Sequence, residues 1–408
     1  MNCRHCHAPV DLQLIDLGTS PPSNSYVTTE TLSAPERWYP LRVLTCTNCW
    51  LVQTEDFADR SEFFSADYAY FSSVSESWLD HSRRYVEAMA ERFDLGEKSL
   101  IVEVASNDGY LLQYAKARGI PTLGVEPTHS TAVAAREKGI EVLEEFFGTA
   151  LAEQLAAEGR SADLTAANNV LAHVPDINDF VSGFATLLKP AGVATFEFPH
   201  LLSLIDGAQF DTIYHEHYSY LSLTTVRRIF AANGLTVFDV EQIPTHGGSL
   251  RVYAQRSDSG VRAIEASVGA LLAVEREKGV ETPDYYTQLQ SQAETIAADL
   301  LVFLTEARSA GKTIAAYGAA AKGNTLLNFA GVRPFLLPYV VDRNPAKAGK
   351  YMPGSRIPIV GEDCLRRDRP DYVLILPWNL RDELDRQLAY VREWGGRIVT
   401  AVPSLSVA

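Results

Sequence analysis

The chain has 408 residues, 46% of them hydrophobic and 21% charged, with a formal net charge of −15 at pH 7. That length exceeds one ordinary hydrophobic core and implies two or three domains. The acidic balance opposes a phosphate backbone, so no nucleic-acid partner is expected, and no apolar run reaches the roughly eighteen residues of a membrane span.

The chain begins with two Cys-x-x-Cys turns, Cys3 to Cys6 and Cys46 to Cys49, with 39 residues between them. Two thiolates on one tight turn reach a single ion, and two such turns complete the four-sulfur shell that Zn²⁺ prefers. Redox disulfides need an oxidising compartment, and the first apolar stretch, broken by Asp11, Gln13 and Asp16, is unlike a signal peptide. A cytoplasmic protein with structural zinc is therefore expected. A closed shell of Cys3, Cys6, Cys46 and Cys49 has no open position for substrate, so its role is to hold a small fold together. His5 and His7 are alternative ligands but read as surface residues, and Cys364 stands alone as a half-buried apolar residue.

Residues 100–254 alternate short apolar strands with helical stretches, which predicts a parallel sheet flanked by helices. Strands are expected at 99–104, 121–126, 163–167, 193–198 and near 250–255, with a helix over 110–118 carrying Leu111, Leu112 and Ala115. The turn after the first strand has an acidic Glu103, small Ala105 and Ser106, then Asn107, and Gly109 opening the next helix. Such a turn lets backbone approach a ligand closely. One strand later, Glu126 stands where a carboxylate accepts from both ribose hydroxyls.

The dinucleotide fingerprint is not met, because Ala105 and Asn107 replace its first two glycines. A ligand without phosphate, such as S-adenosylmethionine, suits the turn better. A ligand-free tight turn is the alternative, weakened by the spacing to Glu126 and by Glu145-Phe146-Phe147, placed to flank an adenine.

Two clusters bring further chemistry. Asn168, Asn169 and His173 follow a strand at the sheet edge where open α/β sites form. Tyr214-His215-Glu216-His217 packs a base, a carboxylate and an oxyanion donor into four residues. A metal site is the competing reading, but His215-Glu216-His217 lacks the spacing of the H-E-x-x-H zinc helix, and a structural role is the third. His246-Gly247-Gly248 is either a site loop or a turn before the next strand.

Leu289, Ala293, Ile296, Leu300 and Leu304 step along one face of a long helix and read as core packing. A second α/β pattern follows, with strands at 312–317, 338–342, 371–376 and 397–402. Gly318 to Thr325 superficially resembles the nucleotide-triphosphate loop, but Asn324 occupies the lysine position and Lys322 comes two residues early, which excludes an NTPase. A glycine-rich turn opening a helix still suits a diphosphate, with Lys322 adding charge. Asp342 ends the next strand and is placed like a ribose acceptor.

In order and spacing, the cysteine pairs, Tyr68 to Ser73, Glu103 to Gly109, Asn169 to Pro175, Tyr214 to His217, His246 to Gly248 and Tyr317 to Lys322 resemble the sugar-nucleotide C-methyltransferases that act on deoxy-keto-hexoses. The resemblance implies an α/β chain of three parts: a zinc-binding domain over 1–66, a Rossmann-like S-adenosylmethionine-binding domain over 67–258 and a Rossmann-like domain over 259–408. The cofactor residues are then Glu103, Ala105, Asn107, Gly109, Glu126, Phe146, Asn168 and Asn169. A dTDP-linked sugar is held between the last two domains by His246, Gly247, Gly318, Lys322 and Asp342.

The resemblance also implies methylation at carbon 3 of a 4-keto sugar, with His217 as base, Tyr214 on the ketone oxygen, and Glu216 orienting the base or a sugar hydroxyl. His173 is a second active-site histidine and Tyr70 an active-site tyrosine, with Tyr68 an alternative alignment. Three domains that enclose their own site predict a monomer. An O- or N-methyltransferase and a non-enzymatic zinc-ribbon scaffold remain the competing readings.

Overall fold

In the computed structural model, which describes residues 1–57 and 71–408, the cysteine turns flank a small antiparallel sheet. Its strands are β1 (Leu12–Ser20), β2 (Tyr39–Thr45) and β3 (Val52–Thr54), paired in that order. A fourth strand comes from far along the chain: β3 pairs antiparallel with residues 219–220, Val52 opposite Tyr220 and Gln53 opposite Ser219. The module thereby grips the segment just after Tyr214 to His217. Thr54 reinforces the join, its backbone N–H donating to the Tyr218 carbonyl and its hydroxyl to the His217 carbonyl.

The central sheet contains β4 (Ile101–Val104), β5 (Thr122–Val125), β6 (Val142–Leu143), β7 (Ala162–Asn168) and β8 (Leu188–Pro199). After β9 (Ser219–Tyr220), which belongs to the first sheet, come β10 (Leu235–Ile243) and β11 (Ser249–Arg256). The order is β10-β11-β8-β7-β4-β5-β6. β8 to β6 are parallel, and their buried apolar runs are what a sheet covered by helices on both faces requires. The expected strand near 250–255 is present but antiparallel to β8, with β10 antiparallel to it in turn. A five-residue link between β10 and β11 is too short for a parallel crossover of a dozen or more residues, so the pair folds as a hairpin.

The helix Leu289–Ser309 leads to the third sheet and buries the expected stripe, from Leu289 through Leu304 to Ala307. That stripe packs against both neighbours: Leu14, Ile15 and Leu17 of β1 share its core with Ile314 of the next strand. The third sheet holds β12 (Ile314–Tyr317), β13 (Val340–Val341), β14 (Ile359–Val360), β15 (Tyr372–Ile375), β16 (Arg397–Thr400) and β17 (Ser406–Val407). Their order is β14-β13-β12-β15-β16-β17, parallel except at β17.

Both large sheets reverse their strand order once, between β4 and β7 and between β12 and β15. In open α/β sheets the crevice at such a reversal, outside the carboxyl ends of the strands, is where ligands bind. Here one cavity is lined from both crevices. Among the described residues, no helix is long and apolar enough to cross a membrane.

Candidate active site

The two cysteine turns are built alike. His7 N–H donates to the Cys3 carbonyl and Trp50 N–H to the Cys46 carbonyl, and these closing residues have φ of +61° and +65°. The four sulfurs lie within 4.8 Å of one another, with Cys3 to Cys49 at 3.4 Å and Cys6 to Cys46 at 3.5 Å. A disulfide would draw two sulfurs to about 2.05 Å. Tetrahedral zinc, at about 2.3 Å per bond, would space them by about 3.8 Å, and the cluster fits that ion. His5 stands outside the set, donating from Nδ1 to the Asn178 side chain at 2.7 Å, and His7 is exposed. The site is closed and structural.

At the first crevice, Ala105 (φ +58°) and Asn107 (φ +48°) adopt the left-handed conformation usually left to glycine, at about 1–2 kcal/mol each. The turn is held there by neighbours: Ala105 and Ser106 N–H both donate to the Val125 carbonyl, and Asn107 N–H donates to Glu126 Oε2 at 2.9 Å. Glu126 Oε1 accepts from Thr128 N–H at 2.9 Å, and the carboxylate lies on the cavity wall. Ala105, Asn107, Glu126, Phe146, Asn168 and Asn169 all line the cavity. Asn168 is buried with neither side-chain amide atom hydrogen-bonded, and Phe146 is 42% exposed. An idle buried amide beside an exposed aromatic face fits an adenosine ligand.

Glu103 and Gly109 do not reach that wall. Glu103 is fully buried beneath the turn, where burial, partly offset by the Tyr110 hydroxyl, holds its carboxyl well above the usual range. Gly109 (φ +74°) serves packing: a Cβ there would stand 2.4 Å from Ile140 Cδ1.

The cavity measures about 1530 Å³. One small-molecule site usually occupies about 300–1,000 Å³, so there is room for two ligands. At its centre the His217 ring lies 3.9 Å from the Tyr214 ring and 4.6 Å from the His173 ring, centroid to centroid. His217 Nδ1–H donates to the Thr212 carbonyl at 2.8 Å, which leaves Nε2 as the basic nitrogen. Burial, then the neighbouring His173, holds His217 well below the ordinary imidazole range, and burial takes His173 down to about 4.

The adjacent carboxylate does not set the His217 tautomer. Glu216 instead accepts from Asn24 Nδ2 at 2.7 Å, because successive side chains of this tight segment point to different sides. Burial pushes Glu216 up to about 7, opposed by the Asn24 donor. His215 also turns away, its Nε2–H donating to the Pro40 carbonyl at 3.1 Å. Among the described residues, the four cysteines are the group placed to hold a metal. Tyr68 and Tyr70 lie outside the described residues; Phe71 and Ser72, which follow, line the cavity.

The second crevice mirrors the first. Asp342 Oδ2 accepts from Ala319 N–H and Oδ1 from Asn344 N–H, both at 2.8 Å, as Glu126 does with its own turn. Gly318 (φ +89°), Lys322 and Asp342 line the cavity. Lys322 Nζ donates to Asn379 Oδ1 at 2.7 Å and sits 4.7 Å above the Trp378 ring. His246 (φ +56°) lines the cavity edge-on to Trp78, and burial lowers it to about 4. Gly247 does not line it; its φ is +92°, and a Cβ would stand 2.6 Å from Trp378 Cη2, so the glycine makes room for that ring.

Family models match the chain in succession: a "Putative zinc binding domain" over residues 3–64, a methyltransferase domain over 77–240, and a C-methyltransferase C-terminal domain over 244–403. The C-methyltransferase NovU of Streptomyces niveus is 32% identical over 401 residues, covering 98% of this chain and 95% of NovU. The chain belongs to the C-methyltransferase family. It is an S-adenosylmethionine-dependent C-methyltransferase with a structural zinc module. The O- or N-methyltransferase and scaffold readings are thereby set aside.

This C-methyltransferase is also 26% identical to the ubiquinone biosynthesis O-methyltransferase of Bartonella tribocorum, over 187 residues that cover 43% of this chain and 72% of that one. Among solved structures, magnesium protoporphyrin IX methyltransferase from Synechocystis PCC 6803 with bound SAH matches at 18% identity and a TM-score of 0.36, covering 44% of this chain and 83% of that one.

Several wall residues of the C-methyltransferase carry little signal in the sequence. Trp78 stacks on His81 at 4.8 Å and on Tyr110 at 5.9 Å, and His81 Nε2 meets Glu197 Oε2 at 2.8 Å. Arg251 Nε donates to the other Glu197 oxygen at 2.7 Å. Ser75, whose hydroxyl caps the helix Glu76–Arg92 through Trp78 N–H, is the local cue that a helix start delivers Trp78 here. Asn24 has no such cue, since its partner lies 192 residues away.

Proposed function

We propose that this C-methyltransferase methylates carbon 3 of a nucleotide-linked 4-keto deoxy sugar, dTDP-linked as the family resemblance implies. The observation that carries the reading is a neutral, buried His217 whose Nδ1–H is committed to the Thr212 carbonyl, leaving a basic Nε2 beside Tyr214 in a two-ligand cavity. Carbon methylation, unlike methylation of an already nucleophilic oxygen or nitrogen, needs both a proton acceptor and an oxyanion donor.

The ketone acidifies the neighbouring C–H. His217 Nε2 takes that proton, and the Tyr214 hydroxyl donates to the ketone oxygen as it gains charge. The proton moves from carbon to imidazole, so imidazolium and enolate form together and the buried site gains no net charge. S-adenosylmethionine, when bound, would supply a sulfonium methyl for the enolate carbon, with the neutral thioether as the leaving group. Holding the two carbons in line supplies much of the rate.

The roles of the three parts follow. Residues 1–66 form the zinc module, 67–258 hold the cofactor and 259–408 hold the nucleotide. Gly318 and the N-terminus of the helix Ala321–Phe329 suit a diphosphate, with Lys322 adding charge and Asp342 accepting from the ribose. The proposed residues for both ligands come from one chain, so the reading requires no second copy.

Mass spectrometry of products from a panel of nucleotide-linked 4-keto sugars in heavy water tests this. One added methyl in the product, and deuterium at the acidic carbon of the recovered unmethylated sugar, are expected. If the folded protein binds both ligands yet gives neither exchange nor methylation, the reading is wrong.

A further inference from the structure

Residues 21–28 leave the first strand of the zinc module and run along the cavity wall toward the third unit. Asn324 Nδ2 donates to the Ser23 carbonyl at 2.6 Å, and the Tyr26 hydroxyl donates to the Ala319 carbonyl at 2.6 Å. Val27 exchanges both backbone hydrogen bonds with Tyr351. The helix that carries Asn324 also carries Thr325, whose hydroxyl donates to the Ile213 carbonyl at 2.8 Å. The strap and the Tyr214 to His217 segment therefore hang from one helix, with a fixed distance between them.

Between these pins Asn24 donates to Glu216 Oε2 at 2.7 Å. Both residues line the cavity, and Glu216 is 2% exposed. Its other oxygen, Oε1, has no hydrogen-bond partner. A buried acceptor left idle costs about 1–3 kcal/mol, more if charged, and native structures leave few of them. Asn24 occupies one oxygen and so aims the other. The imidazole of His217 is not its target, because Nδ1–H goes to Thr212.

Resting on the function proposed above, we propose that Asn24 is a positioning residue that holds Glu216 so that Oε1 accepts from a hydroxyl of the sugar ring, which makes the zinc module part of substrate selection. A site built to bond a hydroxyl rejects the analogue that lacks it far more strongly than an apolar pocket rejects a missing methylene. The strap thus turns a structural module into a reader of substrate polarity.

The test compares kcat/KM for a nucleotide-linked 4-keto sugar bearing a ring hydroxyl with that for its analogue deoxygenated at the same carbon. The wild type should prefer the hydroxylated sugar by about a hundredfold or more. Asn24→Leu should cut that preference by about tenfold, mainly through KM, with zinc content and S-adenosylmethionine affinity retained. Loss of the donor should also move the Glu216 limb of the pH profile upward. Glu216→Gln should cause a similar loss, and the double variant should be no worse than either single one.

Equal losses on both sugars, or fully additive losses in the double variant, overturn the proposal. If Asn24→Leu does not fold, Asn24→Ser, too short to keep the bond, is read in the same assay. A wild type that methylates none of the sugars overturns the parent reading, whereas an active wild type with an unchanged preference in the variant overturns this one alone.

Discussion

His217 and Thr212 stand five residues apart, and the imidazole Nδ1–H of the first donates to the backbone carbonyl of the second at 2.8 Å. A backbone acceptor cannot titrate, so the neutral ring keeps the tautomer with a basic Nε2. His217→Asn, which retains a donor and removes the base, should lower both deuterium exchange and methylation by about 10²–10⁴-fold. S-adenosylmethionine affinity, read by calorimetry, should stay within about threefold. Normal exchange in the variant would move the base elsewhere.

Cys46→Ser removes one of four zinc ligands. Metal content and folding yield should fall together, because the binding energy of a structural zinc is folding energy. Atomic absorption and far-UV circular dichroism on the same sample check this. A folded variant that loses only turnover would mean that the ion does chemistry.

Gly109→Ala would place a methyl 2.4 Å from Ile140 Cδ1 at a φ of +74°. Overpacking of this kind costs about 1–3 kcal/mol. Because Asn107, two residues earlier, is tied to Glu126, weaker S-adenosylmethionine binding should accompany the lower stability. Urea melts and calorimetry measure the two effects.

His173 gives the stability curve a defined slope. Its pKa is depressed to about 4 by burial, while the unfolded chain takes up the proton near the ordinary value of 6.5. The contribution is therefore fully present above about 6.5 and is lost as pH falls toward 4. Between about pH 7 and pH 5, the wild type should lose roughly 2 kcal/mol more stability than His173→Gln. Parallel melts of the two proteins at both pH values decide it; identical losses would place His173 in contact with water.

Much of the cofactor wall was legible because its signals are local. Ala105, Asn107 and Glu126 are joined by one strand, one turn and one helix, and the parallel pattern leaves the turn little freedom. Glu103 and Gly109 belong to the same pattern, yet the fold uses them beneath the turn, since only the packing of Ile140 and the strand interior decides which side faces the ligand. Gly247 is similar: its spacing suits a site loop, but the neighbouring Trp378 ring is what requires a glycine.

By itself, the sequence determined what short-range chemistry can carry. Four thiols on two tight turns, a strand-turn-helix shaped for a nucleoside, and a base, a carboxylate and a phenol within four residues all express their geometry over a few bonds. Tertiary structure alone decided how those parts meet: β9 completing the zinc module's sheet, the hairpin that makes the central sheet mixed, both crevices opening into one cavity, and Asn24 claiming Glu216. The last of these relations joins residues 192 positions apart. They arise from how whole faces pack, and a face has no signature within any single stretch of chain.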